Sequence, residues 1–346
     1  MSNYSLKIKN SSDVCVVNSL EILPTLLPKA RVVVITDHNL ERLYPEVIAP
    51  YERIVIGEGE QNKTLATMEK IYTELIEMGA DRKTFLLGFG GGIVTDITGF
   101  VAATYMRGVD FGFISTTLLS QVDAGVGGKN GVNLGGYKNM VGTFNQPRFV
   151  ICDISMLRTL NDREVRAGLA EVTKSAIIAD AALFELLEGV SFEALQQNSD
   201  LLSRAVIASV TVKAAIVERD ERESGERRKL NLGHTFAHAI EKLSHSMIHG
   251  EAVAVGTIIA TNISLRLGLI SAEDAERIIN IHKSLGFNLT PPLPVEELFA
   301  AIHKDKKAEE GYIYMVLPRS IGDCEVRKMS FSEVAAAIQQ PCCSIK

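Results

Sequence analysis

Leu86-Leu-Gly-Phe-Gly-Gly-Gly-Ile-Val-Thr-Asp96-Ile-Thr-Gly99 passes from an apolar, strand-like run into an apolar helical one across three consecutive glycines. Glycines at such a junction let backbone N–H groups approach a pyrophosphate, and the N-terminus of the helix adds positive potential there. The pattern departs from the G-x-G-x-x-G fingerprint, and alone it fits a tight turn as well as a phosphate-binding one. Its strand–glycine–helix context favours the second.

The neighbouring segments extend the same alternation. Arg31–Thr36 and Arg53–Gly57 read as buried strands, and Thr64–Met78 reads as an amphipathic helix with Leu65, Met68, Ile71, Leu75 and Met78 at helical spacing. Gly79-Ala-Asp81 closes that helix, and Thr84–Gly88 is the next strand. Strands alternating with helices indicate a parallel sheet covered on both faces. After Asp153 the character changes: residues 162–288 carry long apolar periodicities and many alanines. A strand at Tyr312–Leu317 and a helix near Ser330–Gln339 follow. The expected α/β architecture is a Rossmann-like nucleotide-binding domain over 1–153 and a mostly helical metal- and substrate-binding domain over 154–346.

The 346 residues suffice for two cores, and a composition 46% hydrophobic and 23% charged is that of a globular protein. A net charge of −6, with no Lys/Arg stripe, argues against a nucleic-acid partner, so any anionic substrate must be met by local basic groups. The five scattered cysteines lack CxxC spacing and suit a reducing compartment. No apolar leader and no membrane-length apolar run is evident, and a cytoplasmic location is expected.

Three stretches carry candidate chemistry. Asp37 follows a strand, where it could accept ribose hydroxyls or simply cap the next helix. Ser115–Asn130 reads as a polar, glycine-rich loop; its Lys129, with Lys138 and Asn139 farther on, suggests an anion clamp. In Asn231-Leu-Gly-His-Thr-Phe-Ala-His238 the two histidines share one helical face, and His249 follows. A lone histidine on an apolar helix is usually a core residue. Three of them, with a carboxylate available at Glu171, favour a metal, and spacing alone selects His234 and His238 as ligands.

Four blocks in order, Gly90–Gly108, Gly168–Lys174, Leu230–His238 and His249–Gly256, resemble the 3-dehydroquinate synthases within the sugar-phosphate cyclase superfamily. The resemblance implies conversion of 3-deoxy-D-arabino-heptulosonate 7-phosphate to 3-dehydroquinate. NAD+ takes a hydride and returns it, phosphate leaves in between, and the ring opens and closes again by an aldol step. It also implies a divalent metal (Zn2+ or Co2+) held by Glu171, His234 and His249, which moves His238 from the metal to the substrate phosphate. The cofactor is then expected at Asp37, Glu60, Lys63, Gly91, Gly92, Ile93, Asp96, Thr116, Thr117, Lys129 and Lys138. Substrate and catalytic contacts are expected from Asp123, Lys129, Asn139, Lys174, Lys213, Arg227, Asn231 and His238. One of Lys306 and Lys307 should also reach the phosphate. Arg107 is expected to cross a homodimer interface to the partner's substrate.

This sequence departs from relatives in having Ser175 in place of a tyrosine, Ile154 in place of a polar residue, and a short 239–248 connection. Two rivals share the general plan: a cyclase of the 2-deoxy-scyllo-inosose synthase kind, and a metal-dependent glycerol or alcohol dehydrogenase. Asn231 with the basic set near Lys213 and Arg227 suits a carboxylated substrate and favours the dehydroquinate branch, whereas the dehydrogenases lack the Lys129, Lys138–Asn139 and Arg227 cluster because their substrates carry no phosphate.

Overall fold

The computed structural model describes residues 4–8, 12–244, 246–305 and 311–339. Lys306 and Lys307 lie outside the described residues. The chain divides into two compact units, Met1–Asn161 and Asp162–Lys346. Residues 154–161 thus group with the first unit, although the change in composition comes at Asp153.

Among the described residues, nine strands form in the first unit: β1 (Tyr4–Ile8), β2 (Ser12–Val17), β3 (Val32–Asp37), β4 (Glu52–Ile56), β5 (Phe85–Gly90), β6 (Phe111–Ser115), β7 (Lys129–Leu134), β8 (Tyr137–Phe144) and β9 (Phe149–Asp153). Seven of them make one sheet in the order β1-β2-β9-β6-β5-β3-β4. Every neighbouring pair is parallel except β1–β2. All six residues of β5 are buried, as a parallel strand covered on both faces requires. Phe85, Leu87 and Phe89 pack with Val34, Ile114, Phe149 and Ile151 in its core.

From β3 the chain steps outward to β4 and then returns to the other side of β3 as β5. The direction of winding therefore reverses beside β3, and the carboxyl ends of β3 and β5 frame the crevice where such sheets bind ligands. Asp37 ends β3, and Gly90 ends β5. The stretch read from sequence as a polar loop is largely ordered structure. Ser120–Ala124 forms a π-helical turn, and from Lys129 the chain enters the antiparallel β7–β8 hairpin. Glycine content masked the hairpin because Gly131 and Gly142 face each other across it, where neither strand has room for a side chain.

The second unit is mainly helical. Its principal helices are Asp162–Ala179, Ser199–Arg219, His234–Leu243, His249–Arg266 and Ala272–Ser284. The strand expected at 312–317 is longer, β10 (Tyr312–Ser320), and pairs antiparallel with β11 (Asp323–Ser330), which the sequence reading missed. Charged residues in Asp-Cys-Glu-Val-Arg-Lys hid its alternation. Among the described residues no helix is long and apolar enough to cross a membrane.

Two close approaches bring the helices together. A Cβ on Gly250 would lie 2.2 Å from the Ala167 carbonyl oxygen, so the His249–Arg266 helix starts directly against the Asp162–Ala179 helix. A Cβ on Gly256 would lie 2.0 Å from the Gly233 carbonyl oxygen. Gly233 itself has φ +80° and is the N-cap of the His234–Leu243 helix. The starts of two helices and the middle of a third therefore converge.

Candidate active site

At the end of β5, Gly91 is the N-cap of the Gly92–Thr104 helix. A Cβ on Gly91 would lie 2.9 Å from Cγ2 of Thr117, so the turn after β5 packs tightly on the segment after β6. Thr116 N–H donates to the Gly90 carbonyl at 3.0 Å, linking the two strand ends. Bare backbone at a helix N-terminus, bounded by Thr116 and Thr117, has the chemistry of a pyrophosphate cradle. Asp37 does cap its helix: Oδ1 accepts from Leu40 N–H at 2.9 Å. Burial raises its pKa, and the N–H bonds oppose that rise.

Beside this turn lies a polar network that joins several expected residues. Lys63, buried, donates to Asp96 and, at 2.6 Å, to Oδ1 of Asn139. The Asn139 N–H donates to Oδ1 of Asn133 at 2.9 Å, and the Asn133 amide donates to Glu60 at 2.7 Å. Burial pushes the Asp96 carboxyl up to about 6 even though Lys63 pulls it down. Asn133, which no motif suggested, is the link between Glu60 and the hairpin. Ile93 lies in the first turn of the helix, partly covered, while Lys129 and Lys138 are exposed on the hairpin. Asp123 sits half-buried in the π-helical turn.

In the second unit, Glu171, His234 and His249 each offer one ligand atom, all within 4.8 Å of one another. Nε2 of His234 lies 3.7 Å, and Nε2 of His249 3.6 Å, from Oε1 of Glu171. The other ring nitrogens face inward partners. Nδ1 of His234 is 3.1 Å from the Leu232 carbonyl, and Nδ1 of His249 is 3.4 Å from Oε2 of Glu241. With Nδ1 as donor in each ring, both Nε2 lone pairs point into the triad.

The electrostatics match this arrangement at His234 and differ at His249. Burial, with Lys174 nearby, lowers His234 to about 3, which keeps the ring neutral and free to ligate. Burial also opposes protonation of His249, but hydrogen bonds to Glu171 and Glu241 outweigh it and raise that group to about 10. Without a metal, His249 is thus the charged partner of the two carboxylates, and ligation requires it to give up its Nε2 proton. Two imidazole nitrogens and one carboxylate oxygen are a donor set suited to a catalytic divalent metal with an open position.

His238, the spacing-based choice, is not in this triad. Its ring centroid lies 5.6 Å from that of His234 and the residue is exposed. Helical spacing put both rings on one face, but only the third helix decided which of them a ligand from elsewhere could join. Lys174, Lys213 and Arg227 are buried in the same unit, and Lys174 pairs with Glu171. Arg227 donates to the Glu221 carbonyl, and Asn231 donates to Glu223. The Glu226–Asn231 turn that carries them packs on the Asp162–Ala179 and Ser199–Arg219 helices. Ser175 turns into the contact between those two helices, accepting from Ser209 at 3.0 Å. Ile154 is buried at the start of its 3-10 turn.

Sequence motifs left two anchors unmarked. Asp220 accepts from the N–H groups of Ser224, Gly225 and Arg227, tying down the loop before Arg227. Glu241 falls seven residues after His234, on the same helical face, a spacing visible in the sequence once that face is known to matter.

Two family models cover the chain in succession: the 3-dehydroquinate synthase N-terminal model matches residues 53–167, and the C-terminal model matches 168–308. The chain belongs to the 3-dehydroquinate synthase family. A 3-dehydroquinate synthase of Pelobacter propionicus is 41% identical over 315 residues, covering 88% of each chain. The fold matches 2-epi-5-epi-valiolone synthase of Streptomyces hygroscopicus, solved with NAD+ and Zn2+ bound. That match has a TM-score of 0.85 at 29% identity, over 97% of this chain and 98% of that one. A 2-deoxy-scyllo-inosose synthase solved with carbaglucose-6-phosphate, NAD+ and Co2+ shares the fold with a TM-score of 0.86 at 23% identity, over 98% and 99% of the two chains.

Proposed function

We propose that this chain is a phosphate-eliminating cyclase that turns 3-deoxy-D-arabino-heptulosonate 7-phosphate into 3-dehydroquinate, with bound NAD+ and one divalent metal. The observation that carries the reading is the Glu171–His234–His249 triad with Lys174, Lys213 and Arg227 buried in the same unit. A substrate bearing carboxylate and phosphate offers such cations two anions for charge-assisted hydrogen bonds. The metal supplies Lewis-acid polarisation of a substrate oxygen, and NAD+ accepts and returns a hydride.

The chain's own side chains divide the remaining work. Glu171, His234 and His249 hold the metal, and Lys174 neutralises the charge of Glu171. Arg227, Asn231, Lys213 and His238 orient the carboxylate and phosphate, assisted by Asp123, Lys129 and Asn139. Gly91, Gly92 and Ile93 with Thr116 and Thr117 receive the pyrophosphate. Asp37, Glu60, Lys63, Asp96 and Lys138 complete the cofactor contacts. The active form in this reading is a homodimer, with Arg107 reaching the partner's substrate.

The test is to supply the heptulosonate phosphate, catalytic NAD+ and Zn2+, and to follow phosphate and product. Phosphate release with dehydroquinate formation and no net NADH is the expected result. Turnover of glucose 6-phosphate in its place would move the chain to the inosose branch, and stoichiometric NADH would make it a dehydrogenase.

A further inference from the structure

We propose that Glu241 is a positioning residue for the metal: its carboxylate holds the His249 ring by Nδ1 so that Nε2 faces Glu171 and His234. The proposal rests on the reading of those three residues as ligands. Oε2 of Glu241 lies 3.4 Å from Nδ1 of His249, while Nε2 of the same ring lies 3.6 Å from Oε1 of Glu171. The imidazole is therefore gripped on both sides by carboxylates that different helices supply.

Local structure explains why Glu241 can reach. It lies in the last turn of the His234–Leu243 helix, and only residues 244–248 separate that helix from His249. The short connection returns the chain so that the end of one helix meets the start of the next. The Glu241 side chain is 7% exposed, so its charge is weakly screened, and a buried carboxylate needs such a partner. His234 is held differently, by the neutral Leu232 carbonyl 3.1 Å from its Nδ1. One ligand is thus backed by a charge and the other by a dipole.

A carboxylate behind a ligating imidazole fixes its tautomer and raises its basicity, and its loss typically weakens metal binding about 10–100-fold. The metal-free protein and its Glu241→Ala, Glu241→Gln and His249→Ala variants are titrated with Zn2+ against a competing chelator. Their Co2+ complexes are compared by visible absorption. Glu241→Ala should bind Zn2+ about 10–100-fold more weakly and shift the Co2+ bands. Glu241→Gln, which keeps an acceptor oxygen but not the charge, should fall between it and the parent. Parent-like affinity and bands in Glu241→Ala overturn the proposal; should that variant not fold, parent-like values in Glu241→Gln do so. Metal binding that survives in His249→Ala instead overturns the ligand set.

Discussion

Gly256 lies against Gly233 so closely that a Cβ on the first would stand 2.0 Å from the carbonyl oxygen of the second. This contact sets His234, the residue after Gly233, against the helix that His249 begins. The Glu171–His234–His249 triad thus depends on two residues with no side chain at all. Gly256→Ala must push the helices apart, at a cost of about 1–3 kcal/mol. It should lower both urea stability and bound zinc, whereas a fully folded variant with normal metal content would refute this account of how the triad is assembled.

The Lys63–Asp96 pair predicts an acid-side dependence. Burial raises Asp96 to about 6, above its unfolded value of about 3.9. A raised carboxyl favours the protonated folded state, so its contribution to stability is present below about 4 and is lost as pH rises through 6. In cofactor-free protein, the stability of the parent relative to Asp96→Asn should therefore decline between pH 4 and 7. Chemical denaturation across that range tests it, and a difference independent of pH would contradict the shift.

Asp220 gives a prediction of opposite sign. Burial pushes its carboxyl up, but the N–H groups of Arg227, Gly225 and Ser224, with the Ser224 hydroxyl, hold it far below the usual range. Stability from this group is present above its unfolded value of about 3.9 and is lost as pH falls toward the folded one. Replacing Asp220 by Asn should loosen the turn that carries Arg227 and Asn231. A tenfold or larger loss of kcat/KM, or about 1.4 kcal/mol, is expected with zinc content unchanged.

Met106 and Arg107 have φ of 49° and 70°, left-handed conformations that side chains rarely adopt. Each costs about 1–2 kcal/mol relative to glycine, and such strain persists where function holds it. Arg107→Gly should raise the unfolding midpoint while lowering turnover. A variant both more stable and as active as the parent would remove Arg107 from the catalytic assembly, and sedimentation would show whether association changed with it.

Much was legible in the chain itself. The β-branched runs around Val33 and Ile54, the helix with Met68, Ile71 and Leu75, and the glycines after Phe89 follow from local stereochemistry, so an α/β half and a helical half could be read directly. Strands β1 and β11 could not, because short segments with charged or polar residues acquire a strand identity only from the neighbour that pairs with them. The same limit applied to the histidines. Helical spacing placed His234 and His238 on one face, and that much is a property of a single helix. Which imidazole joins Glu171 depends on where the His249–Arg266 helix crosses. That crossing is set by the absence of side chains at Gly233, Gly250 and Gly256, a packing fact between segments distant in sequence. Local periodicity decided the elements; contact between backbones decided the triad.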